Sequence, residues 1–198
     1  MTQEEKVVVK IRKSKTWNLS GTIYVRSNLF VALKRFRRQK KPVTMWINAL
    51  CIDQDDLTER SEQVKKMHEL YLQAENVSIW LGDGTSEGAP NPQDCFQFLE
   101  DMLDLKNLDR FFGPGSEDDV DNAVNIVSLM CNKWFSRRWV LQELALARKA
   151  EVVYGKRRMP WSDFADAISI FHQELRFNSP HRVQEIRRES CLLGGESP

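Results

Sequence analysis

The sequence predicts an α/β domain built on a parallel sheet, and three observations carry that expectation. Val43–Ile52 (VTMWINALCI) is an almost unbroken apolar run. It is too short for a free-standing helix and lacks alternation, which suits a strand buried on both faces. Val77–Leu81 (VSIWL) is a second such run, closed by Gly82-Asp83-Gly84. Between them Asp56 and Glu59 have the spacing of a capping box, and Leu57, Arg60, Val64, Met67, Tyr71 and Ala74 follow in steps of three and four. Strand, helix and strand in this order form a βαβ unit, with a right-handed crossover and the two strands as parallel neighbours.

The remaining elements follow in chain order. Val7–Ile11 and Thr22–Val25 are β-branched clusters on either side of the polar Asn18–Gly21 turn, giving two short strands or a hairpin. From Asn28, the residues Leu29, Phe30, Leu33 and Phe36 recur at helical spacing, and Pro42 stops the helix. Its C-terminal end carries Lys34, Arg35, Arg37, Arg38, Lys40 and Lys41. These read as a solvated helix end that suits the dipole, the alternative being a nuclear-import or nucleic-acid patch. Asn91-Pro92 opens a helix burying Cys95, Phe96, Leu99 and Leu103, and the loop-rich stretch around it reads as a place for helical insertions. Val120, Ala123, Val124 and Val127 mark a helix over Asp119–Asn132, and Ser136 is placed to cap another carrying Trp139, Glu143, Leu144 and Ala147. Glu151–Tyr154 is a last strand, and Trp161-Ser162 opens a last helix. Residues 1–175 thus read as one domain and 176–198, where charge rises and periodicity fades, as a loosely attached tail.

Hydrophobic residues make up 41% of the 198, with six Trp and ten Phe, enough to bury a core as a soluble globular protein. The 29 Lys and Arg nearly balance the 28 Asp and Glu. The chain as a whole therefore lacks the basic field of a charge-driven nucleic-acid binder, no specific nucleic acid is expected, and any polyanion site must be local. Nothing approaches the roughly 18 to 20 apolar residues of a membrane span, and MTQEEKVVVK is not a signal peptide, so a cytoplasmic location is expected. Cys51, Cys95, Cys131 and Cys191 form no C-x-x-C pair and share no ligand spacing with the three histidines; no metal site is expected.

Standard catalytic motifs are absent, and Gly82-x-Gly84-x-x-x-Gly88 is one residue too long for a dinucleotide fingerprint. Two features remain. Asp53, Asp55 and Asp56 stand at the carboxyl end of the first expected strand, where open α/β sheets bind ligands; there Asp53 either grips a ribose or cation or merely forms the turn. The second is FSRRWVLQEL, Phe135 to Leu144. Arg137 and Arg138 in the first turn of a helix would oppose its dipole and need a nearby carboxylate or a bound phosphate. Trp139 and Glu143, four apart, share a face, so Glu143 is either a carboxylate working beside an indole in a cleft or half of a core ion pair.

The stretch from Trp46 to Gly82, WINALCIDQDDLTERSEQVKKMHELYLQAENVSIWLG, resembles the signature block of the fungal heterokaryon incompatibility (HET) domain. The resemblance continues upstream in Asn28-Leu29 to Ala32-Leu33 and downstream in Arg137, Trp139, Gln142-Glu143 and Leu146-Ala147, so that it covers about Ile23 to Trp161. Asn48 stands where the family usually has Asp, and Asp53 where Asn is also common. The family's first block, an A-L-S-Y-x-W-G strand, has no counterpart before Asn28, which implies a chain truncated at its N-terminus.

HET domains trigger regulated cell death in fungal non-self recognition and are distantly similar to TIR domains. The resemblance therefore implies a three-layer, flavodoxin-like fold. SRRWVLQEL is similar to the TIR helix bearing the NAD-cleaving glutamate, which implies a catalytic role for Glu143; an enzyme would then need a cleft joining it to Asp53, Arg137, Arg138 and Trp139 as binding residues. On this reading NAD is a substrate, no cofactor is required, and a sensor protein or a second copy is the partner. The alternatives are a non-enzymatic interaction or oligomerisation module, or an inactive truncated fragment.

Overall fold

The structure is a computed structural model that describes residues 6–11, 21–38, 40, 42–107 and 117–177. Two compact units, Met1–Cys51 and Ile52–Pro198, divide the chain. In the first, β1 (Lys6–Ile11) and β2 (Gly21–Arg26) pair antiparallel, with Val7 opposite Val25 and Lys6 opposite Arg26. Along β2 exposure alternates: Ile23 is half-buried, Tyr24 exposed, Val25 buried and Arg26 exposed, as a one-sided ribbon requires. Helix α1 (Ser27–Phe36) follows directly and packs on both strands. It buries Ala32 and holds Leu29, Phe30, Leu33 and Phe36 half-buried. The two strands and the start of this helix are where the sequence places them, but the helix ends at Phe36, six residues before Pro42, so that Arg37, Arg38 and Lys40 lie beyond it.

The run Val43–Ile52 is not a strand, and its expected parallel pairing with Val77–Leu81 is wrong. Residues 42–47 have no regular structure, and Asn48–Cys51 form the single turn α2. The Ile47 carbonyl accepts from Leu50 N at 2.8 Å and Cys51 N at 2.9 Å, while the Trp46 indole donates to Asn48 Oδ1 at 3.0 Å. Asn side chains bond locally in this way and so compete with a ladder. Nor is the run buried on two faces: Val43 and Trp46 are each 44% exposed.

In the second unit α3 (Leu57–Gln73) is the helix the capping pattern predicts, and β3 (Val77–Gly82) follows it. After α4 (Pro92–Leu103), a turn of 3-10 helix at Leu105–Asn107, α5 (Glu117–Met130) and α6 (Val140–Leu146) come β4 (Ala150–Tyr154), β5 (Arg157–Pro160) and α7 (Trp161–Phe177). The sheet runs β3-β4-β5, with β3 and β4 parallel and β5 antiparallel to β4. The α/β class stands, but the sheet is small and mixed rather than all-parallel. β5 went unforeseen because RRMP carries one apolar side chain other than its proline; its pairing comes from the hairpin turn at Gly155, whose φ is +55°.

One sheet face, bearing Ile79, Leu81, Val152, Tyr154 and Met159, builds the core with Phe96, Leu99 and Met102 of α4, Ile126 and Leu129 of α5, and Phe164, Ala167 and Phe171 of α7. On β3 and β4 the alternate positions Ser78 and Glu151 meet instead: the Ser78 hydroxyl donates to Glu151 Oε1 at 2.7 Å, and Arg158 pairs with the same oxygen at 2.9 Å. The tail expected from residue 176 lies almost wholly outside the described residues. No described helix is long and apolar enough to cross a membrane.

Candidate functional site

In parallel α/β sheets ligands usually enter at the carboxyl ends of the strands. Here that edge is filled by the chain itself. Gly155 N donates to Gly82 O at 2.8 Å, and the Tyr154 hydroxyl donates to Pro90 O at 2.6 Å. Pro92 lies so close that a Cβ on Gly155 would come within 2.7 Å of its Cγ. Burial, with the nearby Cys95 and Asp83, pushes the Tyr154 phenol up to about 12, so it stays a neutral donor.

Asp53 does not sit at a strand end, because the strand before it is absent. It is exposed in the turn ahead of α3, where its Oδ1 accepts from Asp55 N at 3.0 Å. Asp56 caps the helix, accepting from Thr58 N at 2.8 Å and Glu59 N at 3.0 Å. Glu59 reaches back to Asp53 N rather than to Asp56 N, at 3.3 Å. The turn is thus held by its own carboxylates.

The cavity with chemistry lies between α3 and α6. It measures about 170 Å³ and is lined by Val64, Met67, His68 and Tyr71 of α3 and by Trp139, Glu143 and Leu146. Tyr71 is fifteen residues beyond Asp56, about 22 Å at 1.5 Å per residue, so Asp53 and the cavity lie towards opposite ends of α3.

Ser136 does not cap α6; its hydroxyl is spent on Lys133 O at 2.9 Å, and a chain of turns runs from Cys131 to Trp139 before the helix begins at Val140. Arg137 and Arg138 therefore precede the helix instead of opening it, still at the positive end of its dipole. Arg137 Nη2 meets Glu143 Oε1 at 3.6 Å, with Arg137 half-exposed and Glu143 only 9% exposed. Arg138 is exposed. The compensating group for Arg137 is thus the nearby carboxylate, one of the two answers the sequence allowed.

Tyr71 supplies what sequence reasoning missed. Its phenol donates a hydrogen bond to Glu143, and its pKa is raised, first by burial and then by the Glu143 charge and that bond, with Arg137 opposing. The signal was present, since Tyr71 brings a hydroxyl to the stripe of Val64 and Met67. Trp139, 49% exposed, and Glu143 do share one cavity. The arrangement is a carboxylate clamped by a neutral phenol, open to a small cavity of mixed polar and apolar lining, with one guanidinium half-exposed to water.

Comparison with known proteins decides the family. Residues 2–143 match the heterokaryon incompatibility protein (HET) family, nearly three quarters of the chain and from well ahead of the motif-bearing stretch. The chain belongs to the HET family. It is also 26% identical over 136 residues to heterokaryon incompatibility protein 6, OR allele, of Neurospora crassa, covering 56% of this chain and 20% of that protein. The HET chain thus spans about a fifth of the length of the curated relative it matches. No solved structure matches it. Several residues of the HET signature have structural duties here: Asp56 caps α3, and Trp80-Leu81-Gly82 form the end of β3. Tyr71, Trp139 and Glu143 converge on the cavity.

Proposed function

We propose that this HET chain acts in fungal self/non-self recognition leading to regulated cell death, and that Glu143 cleaves NAD in the manner of TIR domains. Family membership and the relative's name support the general role. The observation that carries the chemistry is Glu143, nine-tenths buried yet lining an open cavity beside a half-exposed indole. Its carboxylate, held by Tyr71, would stand against the ribose while the bond from C1′ to the nicotinamide nitrogen breaks. Its negative charge stabilises the oxocarbenium character that develops, and water then completes the hydrolysis. The cavity is smaller than the roughly 300 to 1,000 Å³ of sites that enclose a whole ligand, so it takes only the reacting end. Arg137 and Arg138 stand on the turns beside it, where a pyrophosphate would meet them. Incubation of the protein with NAD should release nicotinamide, and Glu143→Gln should stop the release while the chain stays folded. Equal release by that variant removes Glu143 from the mechanism.

A second reading rests on a different observation. Leu57, Val64 and Leu72 of α3 and Leu141 of α6 are exposed by 64, 40, 45 and 78%. Such apolar surface suits a module that signals by binding a sensor protein or another copy. Cell death that persists in the Glu143→Gln variant would favour it.

A further inference from the structure

The near-zero net charge conceals a partition between the two units. Met1–Cys51 holds 12 Lys and Arg with two Glu, a net of +10, whereas Ile52–Pro198 holds the other 17 Lys and Arg with 26 Asp and Glu, a net of −9. Both acidic residues of the first unit, Glu4 and Glu5, precede β1, so no carboxylate side chain occurs from Lys6 to Ile52. The cations at the end of α1 suit the helix dipole, but that dipole amounts to about half a charge and leaves nearly all of the excess unexplained. A surface that needed only solubility would mix both signs.

The described part of this unit shows how the charge is displayed. Lys34, Arg37, Arg38 and Lys40 are exposed where α1 ends, and Arg26 is exposed at the end of β2. Two residues before Arg26, and so on the same side of the ribbon, Tyr24 is 68% exposed while Val25 between them is buried. Arg26 shares the outward side of the ribbon with this ring, and the cations beyond α1 follow a helix length, about 15 Å, further on. Cations and an exposed ring are the two components of single-strand recognition, phosphate neutralisation and base stacking. An anionic lipid surface would attract the same cations by charge alone, whereas a single strand also uses the exposed ring. Paired bases would offer Tyr24 nothing to stack on.

We propose that the N-terminal unit binds single-stranded nucleic acid, with Arg37, Arg38 and Lys40 on phosphates and a base on Tyr24. This activity is independent of any cleavage at Glu143. The test is fluorescence anisotropy of the full chain with a labelled mixed-sequence strand of about a dozen nucleotides. Binding at about 50 mM salt should weaken steeply as salt rises, and Arg37→Ala/Arg38→Ala/Lys40→Ala should lower the slope of log K against log salt by about 2. Tyr24→Ala should weaken binding roughly five-fold or more, and Tyr24→Phe, which keeps the ring, should not. Four results would overturn the proposal: no binding at that salt, binding that neither variant changes, equally tight binding to duplex, or capture by phosphatidylserine-containing vesicles without capture of the strand.

Discussion

Glu143 tests whether the Arg137 pair or the Tyr71 hydrogen bond holds the α3–α6 contact. Glu143→Gln keeps an acceptor for Tyr71 and removes only the charge. Arg137 is half-exposed and 3.6 Å away, so the lost attraction is that of a surface pair, at most about 1 kcal/mol. Glu143→Ala also removes the acceptor from a half-buried phenol, adding about 1 to 2 kcal/mol. The two variants should therefore differ by more than the first differs from the natural chain. For a chain of this length each kcal/mol moves Tm by roughly 2 to 4 °C, so urea midpoints and thermal melts both resolve the gap. Tyr71→Phe, made alone and with Glu143→Gln, isolates the pairwise part. A loss of about 3 kcal/mol or more in Glu143→Gln would refute this reasoning, because that cost belongs to a buried charge pair. It would also undercut the catalytic reading, which needs a carboxylate that can exchange Arg137 for a substrate.

Gly155→Ala should lose roughly 2 to 4 kcal/mol in urea unfolding, because a Cβ there meets Pro92 Cγ at 2.7 Å and φ is +55°. Gly88→Ala, at φ +71° with nothing within 4 Å, should lose only about 1 to 2 kcal/mol of backbone strain, and equal losses would exclude the Pro92 clash. Asp56→Ala should cost about 1 kcal/mol through the lost cap of α3, and Asp53→Ala less; a drop in nicotinamide release with Asp53→Ala would restore that residue to the site. Alkaline melts should show stability falling between about pH 10 and 12. The folded state keeps the Tyr154 proton up to about 12, whereas the unfolded chain releases it near 10, so stability is full below that lower value and declines as pH rises. A flat profile over that range would mean that Tyr154 is not held as described.

The elements that were legible from sequence are those whose signals are local. Asp56 and Asn91 announce the starts of α3 and α4 because capping is settled within three residues. The stripe on α3, the two clusters that became β1 and β2, and the run that became β3 needed only their own spacing. The HET signature likewise lies in contiguous residues, so the family was readable before any coordinates. Tertiary structure decided the rest. A run such as VTMWINALCI is compatible with a strand or a turn, and the choice falls to whether neighbours bury it; Val43 and Trp46 stay exposed, and Asn48 and the Ile47 carbonyl close a turn instead. The true parallel partner of β3 is β4, some seventy residues on, a pairing that no local pattern encodes. The pairing of Glu143 with Tyr71 and Arg137 is of the same kind. Whether a carboxylate lies in a core, a cavity or water depends on groups brought together by packing, and sequence spacing along one helix can fix only which of its own residues share a face.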